Sequence, residues 1–472
     1  MRGILVCLLL LACAGPAPGQ SLRVRSGESI AAALELAKPG MVIEVEPGLY
    51  HEALVVDTPN ITLRGIVRGA ERPVLDGRGT LNDGVIASGS PFTMTGFAVR
   101  HYKGNGVTTQ GVDGVFLTDL VIDDTGLYGV YPVQSRNITV THCTVTRIRD
   151  AAIYVGESHG ALVAHNWVHH NVAGIEIENT NDAEVRDNLA HDNTAGILVF
   201  VLPGKVLKEG KRSRVHRNWV VKNNTPNFGD PEAIVGQLPY GVGILLMGAD
   251  DTLVENNQVR ENASLGIAIT RLAEQHAKKD PPLEPMTDRA RVVSNHLEAN
   301  GTSPHPTIVQ GYGGGGDFGW DGTGAGNCAD LADGARTVGA PIGACLDAAA
   351  APSADAGHGG HGGETAAGLP PAPPPDLTGA AAVVHIRGMR FLPRHVAVKP
   401  GETVVWVNED NVVHTVTSGS GTLPSHAPLS SPFLTRGQTF RHTFAEAGRY
   451  EYLCLPHLDQ AAMRGATVTV AK

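Results

Sequence analysis

Between Leu22 and Asn300 a small residue followed by a β-branched one returns at a nearly fixed interval. The pairs are Gly84-Val85, Gly106-Val107, Gly129-Val130, Ala152-Ile153, Gly174-Ile175, Gly196-Ile197, Gly243-Ile244 and Gly266-Ile267. The steps are 22, 23, 23, 22, 22, 47 and 23 residues. Inside each period lie short alternating runs such as Ile138-Thr139-Val140-Thr141 and Gly174-Ile175-Glu176-Ile177-Glu178. Alternation marks strands, and a period near 22 holds three of them, which predicts the coils of a parallel β-helix. No coil can bury its apolar side chains alone, so such coils are stable only as a stack.

A second column keeps the same register. Asn166 and Asn171, Asn188 and Asn193, Asn218 and Asn223, Asn257 and Asn262, and Asn295 and Asn300 are each five apart. Asparagine tolerates left-handed backbone and can hydrogen-bond along a stack of turns, so these read as ladder positions. For the same reason the sequons at Asn60, Asn137, Asn262 and Asn300 read as turns rather than glycosylation sites. The double step from Gly196 to Gly243 is expected to hide one coil and two insertions, Leu202 to Arg214 and Thr225 to Tyr240. The first insertion carries Lys205, Lys208, Lys211, Arg212 and Arg214, open either to an anionic glycan or acidic protein or to plain solvation. Stacking on the asparagines also puts His169 over His191, His170 over Asp192 and Lys222, and His165 over Asp187 and Arg217, a column short of a catalytic assignment.

The segment from Ser26 to Gly40 reads as a short Ser-capped helix stopped by Pro-Gly, closing the open edge of the first coil. With Gly48-Leu-Tyr-His-Glu and Val74-Leu-Asp-Gly after it, the stretch 22–300 resembles pectin-lyase-like β-helix proteins. That resemblance implies a right-handed solenoid, in a group that includes lyases, epimerases and accessory proteins of nitrous oxide reductase maturation. After Asn300 the repeat fades into a glycine-rich cap in which Cys328 and Cys345 are expected to pair. From Ala348 to Gly379 the chain is Ala, Pro, Gly and Ser, a linker by composition, with a Gly357-His-Gly-Gly-His361 tract.

The C-terminal stretch states a chemistry. Cys454, His457 and Met463 lie in one short loop, and His414 follows the strand that ends at Trp406-Val-Asn-Glu-Asp-Asn. A thiolate, two imidazoles and a thioether make up the donor set of a mononuclear blue-copper site. From Val383-Val-His-Ile through Val396-Ala-Val-Lys-Pro-Gly to Tyr450-Glu-Tyr-Leu-Cys454 and Thr467-Val-Thr-Val, the last ninety or so residues resemble plastocyanin- and azurin-like cupredoxins. The resemblance implies a Greek-key β-sandwich holding one type 1 copper, with His414, Cys454 and His457 equatorial and Met463 axial. Met463 follows His457 by six, a longer gap than the family's usual one. His385, His395, His426 and His442 fit no ligand spacing and read as surface residues.

The remaining signals concern location and partners. Met1 to Ala14 has one positive charge, a short apolar run and small residues, as in a secretory signal, and Leu10-Leu-Ala-Cys13 leaves a lipid anchor at Cys13 open. Of the other cysteines, Cys143 reads as a buried thiol. A net charge of -10 argues against general nucleic-acid binding. The chain therefore reads as all-β: signal peptide 1–20, parallel β-helix 21–300, cap 301–348, linker 349–379 and copper domain 380–472. The expected function is that of an exported, periplasmic or extracellular electron carrier, not an enzyme, whose β-helix docks a redox partner protein or a cell-surface polysaccharide. A copper carrier or metallocentre assembly factor, and a polysaccharide lyase or epimerase acting through the β-helix, are the alternative classes.

Overall fold

The computed structural model describes residues 21–68, 71–345, 377–410, 414–420, 423–424, 429, 431, 434, 437–454, 457 and 460–471. The signal segment 1–20 with Cys13, and the linker tract through His361, lie outside these residues. Among them no helix is long and apolar enough to cross a membrane.

Three parallel sheets of twelve, eleven and ten strands run the length of the first domain, each strand pairing with its counterpart one coil away. The repeated apolar column lies in register along the eleven-stranded sheet: Val85 opposite Val107, then Val130, Ile153, Ile175, Ile197, Ile244 and Ile267. These residues belong to one buried core with the inward positions of the other two sheets. The small residue before each has a steric cause, because coils approach closely there. A Cβ on Gly174 would lie 2.5 Å from the carbonyl oxygen of Gly196, and one on Gly196 would lie 2.5 Å from that of Gly243.

Two expectations are corrected. Ala195–Phe200 pairs directly with Val242–Met247, so the 47-residue step hides no extra strand of that sheet; it is one coil lengthened by both insertions. The stack also continues past Asn300, since Gly316–Trp320 pairs with Leu265–Thr270, and Thr337–Gly339 pairs with Gly316–Trp320. Cys328 and Cys345 form a disulfide in this last part, with an S–S distance of 2.07 Å. At the other end, helix α1 (Ile30–Glu35) is capped by Ser29 and buries Ile30 and Leu34 against the first coil. Cys143 is a free, fully buried thiol.

The asparagine column is a hydrogen-bonded ladder. Nδ2 of Asn166 donates to Asn188 Oδ1 at 3.0 Å, and Asn188, Asn218 and Asn257 repeat the bond to the next coil. The backbone N–H of each of these residues donates to the same oxygen, and each Nδ2 also reaches a carbonyl of the preceding coil. The second column runs likewise from Asn171 to Asn300 and ends on Asp317 Oδ1. Left-handed backbone falls on the residue before each asparagine, not on the asparagine itself. His165, Asp187, Arg217, Asn256 and Ser294, and His170, Asp192, Lys222, Glu261 and Ala299, have φ between 53 and 57°. The amide bonds made by the next residue offset that strain.

The C-terminal domain has its own core, built on Val384, Trp406, Tyr452, Cys454 and Met463. A four-stranded sheet pairs Ala380–Ile386 in parallel with Thr403–Asn408, which pairs antiparallel with Thr439–Thr443. A five-stranded sheet pairs His395–Val398 in parallel with Ala466–Val470, flanked antiparallel by Gly448–Leu453.

Replacing Asn218 by alanine leaves the buried backbone N–H of Asn188 without its acceptor and removes one bond each from Asn188 Nδ2, Asn257 Oδ1 and the Val185 carbonyl. It is expected to lower unfolding stability by roughly 3 kcal/mol, read as a lower urea midpoint; an unchanged midpoint would show the ladder to be passive.

Candidate metal centre

The strand Gly448–Leu453 delivers Cys454 into the domain core, where it is fully buried. His414 is held from another direction by a two-way backbone pairing with Leu434: its N–H donates at 3.0 Å and its carbonyl accepts at 2.8 Å. His457 follows Cys454 by one tight turn, its N–H donating to the Cys454 carbonyl at 3.2 Å. These constraints converge on one point. Cys454 Sγ lies 3.5 Å from His414 Nδ1 and 3.4 Å from His457 Nδ1, and the three ligand atoms all fall within 4.8 Å of one another. Among the described residues this is the only such cluster of three or more His, Cys, Asp or Glu.

The spacing fits a metal. An ion about 2.3 Å from sulfur and about 2.0 Å from each nitrogen separates those donors by about 3.5 Å when the angles are near tetrahedral. Soft sulfur with two imidazoles selects copper over hard cations. Met463 is fully buried in the same core, and its carbonyl accepts from the Cys454 N–H at 2.9 Å, tying the two ends of the loop together.

Two supporting residues escaped the sequence reading. Asp410 Oδ2 lies 3.0 Å from His414 Nε2, which turns Nδ1 toward the sulfur. Its carboxylate accepts the backbone N–H groups of Gly388 and Met389 at 2.6 and 3.0 Å, so it is itself anchored. The Thr415 N–H donates to Cys454 Sγ at 3.3 Å, the kind of bond that holds negative charge on sulfur. A carboxylate four residues before the histidine was the available signal for Asp410; nothing local pointed to Thr415. Burial pushes the Cys454 thiol up to about 12, against the Thr415 bonds. Burial also lowers His414 as a base, partly offset by Asp410. Among the other histidines, His385 meets Glu409 and His395 meets Thr467, while His426 lies outside the described residues.

On the β-helix two of the three columns make side-chain contacts along the stack, while Lys222 of the remaining column pairs with Glu261 rather than with Asp192. His169 stacks on His191 at 5.2 Å, His191 Nδ1 lies 2.7 Å from Asp192 Oδ2, and Arg217 makes two bonds to Asp187. The basic insertion is already neutralised within the chain. Lys205 pairs with Glu178, Lys208 with Asp280, Lys211 with Glu209, Arg212 with Asp182 and Arg214 with Glu255. An anionic ligand would have to displace those carboxylates.

A His-Cys-His cluster with His414 and Cys454 fully buried and His457 half-buried, on two mixed β-sheets joined to a three-sheet solenoid, defines a β-helix protein with a cupredoxin copper domain. Residues 379–471 match copper binding proteins of the plastocyanin/azurin family, and residues 83–229 match the right handed beta helix region. Amicyanin of Paracoccus versutus is 38% identical over 93 residues, covering 20% of this chain and 67% of that protein. Amicyanin of Paracoccus denitrificans is 37% identical over 93 residues, covering 20% and 68%. Plastocyanin of Scenedesmus fuscus is 36% identical over 89 residues, covering 17% and 85%. Through its C-terminal domain the chain belongs to the plastocyanin/azurin family.

Asp410→Ala frees the His414 ring and is expected to weaken Cu(II) binding by roughly tenfold to a hundredfold, measured by competitive titration; wild-type affinity would remove the orienting role. Because the metal-free thiol stays protonated well above neutrality, metal uptake expels a proton. Apparent Cu(I) affinity is therefore expected to rise with pH, by up to about tenfold per unit around neutrality, and a flat profile would contradict this.

Proposed function

We propose that this protein is an exported type 1 copper protein that carries single electrons. The observation that carries the reading is the convergence of the His414, Cys454 and His457 donor atoms within 4.8 Å of one another, backed by Asp410 and the Thr415 N–H. Copper, when bound, would supply one-electron exchange. Cys454 would bind as thiolate and provide the electronic path out through the Gly448–Leu453 strand. His414 and His457 would hold the metal through Nδ1, and Met463 would add a soft thioether donor that tunes its potential. The kinship with amicyanin and plastocyanin supports the same reading.

Export is proposed from the N-terminal signal pattern and is supported by the Cys328–Cys345 disulfide, which suits an oxidising compartment. The β-helix would act as the docking body for a redox partner protein or a surface polymer, with the linker holding the copper domain near it.

Titration of the full chain with Cu(II) is expected to produce an intense blue thiolate-to-copper absorption band that Cys454→Ala abolishes. Weak absorption that survives the substitution would overturn the type 1 assignment.

A further inference from the structure

The two insertions of the lengthened coil are not used by the copper site. Both close over the outer face of the eleven-stranded sheet, where Leu202 and Leu238 pack on the same cluster as Tyr154 and Leu198. Beneath them lies an aromatic group. Tyr128 and Tyr131 stack at 4.5 Å with 4° between planes, and Tyr154 joins them at 4.7 and 4.9 Å. The Tyr154 ring lies across Gly156, where a Cβ would come within 2.2 Å of the phenol oxygen and force the ring to shift.

Carboxyls crowd the same face. Tyr154 is in register with Glu176, and Gly156 with Glu178, while Asp150 immediately precedes the strand that carries Tyr154. Glu176 and Glu178 are 5% and 3% exposed, far below what unpaired carboxylates normally allow. Glu178 has a counter-ion in Lys205, whose Nζ lies 2.8 Å from Oε1 in an ion pair off hydrogen-bond alignment. The same ammonium is 3.5 Å from the Tyr154 hydroxyl and 6.0 Å over its ring. Among the described residues, no hydrogen bond or ion pair reaches the Glu176 carboxyl. Burial pushes Asp150 up to about 7 against a bond from Tyr128, and pushes Glu176 upward with added repulsion from Asp150 and Glu178.

Three carboxyls thus share one ammonium, in a setting of aromatic faces. A metal ion is a poor match, because the one donor cluster tight enough for a metal among the described residues is His414, Cys454 and His457. Aromatic rings backed by carboxylates instead suit organic cations. Lys205 shows that the site accepts an ammonium, and Tyr128 and Tyr131 are only half-buried, leaving that side open.

We propose that this cluster binds a small alkylammonium ion, with Glu176 and Asp150 as counter-ions, Tyr128 and Tyr131 as the aromatic wall, and Lys205 as a tethered ammonium holding the Glu178 half. Calorimetric titration of the full chain with ethylammonium chloride, against sodium chloride at equal ionic strength, tests it. Saturable ethylammonium binding, weakened roughly tenfold or more by Glu176→Gln, is expected. Absent saturation, equal binding of sodium, or unchanged affinity in a folded Glu176→Gln would overturn the assignment. Should Glu176→Gln fail to fold, Lys205→Met reads the same site: removing the tethered ammonium is expected to tighten ethylammonium binding, and unchanged affinity would count against the proposal.

Discussion

Parallel coils hand their backbone hydrogen bonds to the coil above and below, and every other feature of the solenoid follows from that dependence. A strand here has no partner within its own coil, so side chains at the turns must keep successive coils in step. The two asparagine columns do this by bonding side-chain amide to side-chain carbonyl through the stack, while also satisfying backbone N–H groups that a bend would otherwise orphan. The constraint also explains where variation is tolerated. The coil between Ala195–Phe200 and Val242–Met247 accepts two long insertions because they leave the ladder residues Asn218 and Asn223 in register.

The copper domain solves a different problem. A cysteine buried to this degree is an inert thiol unless something stabilises its negative charge, and the fold arranges that stabilisation in advance. The Thr415 N–H points at sulfur, two imidazole nitrogens face it, and Asp410 holds one of them in orientation. The electrostatic cost of the site is borne by packing and backbone bonds from elements far apart in sequence. The same logic of buried charge recurs on the solenoid, where Lys205 reaches back from an insertion to Glu178.

Much of this was legible in the chain itself. The repeat of small and β-branched residues, the paired asparagines and the Cys-x-x-His loop each impose a local requirement that few residue types meet, so they show through a single sequence. The 47-residue step was less transparent: spacing alone cannot tell an extra coil from a coil swollen by loops, and only the pairing of Ile197 with Ile244 separates them. The basic insertion stayed open between an anion surface and a solvated turn because, Glu209 apart, its carboxylate partners, Glu178, Asp182, Glu255 and Asp280, are distant in sequence.

What the sequence by itself determined is the periodic architecture and the identity of the donor atoms, since both depend on local pattern and intrinsic chemistry. Tertiary structure decided which residue of each turn carries the left-handed strain, which charges cancel, and which supporting groups surround His414 and Cys454. Those outcomes depend on distances between segments tens of residues apart, where the energy of a charge or a hydrogen bond is set by its neighbours in space.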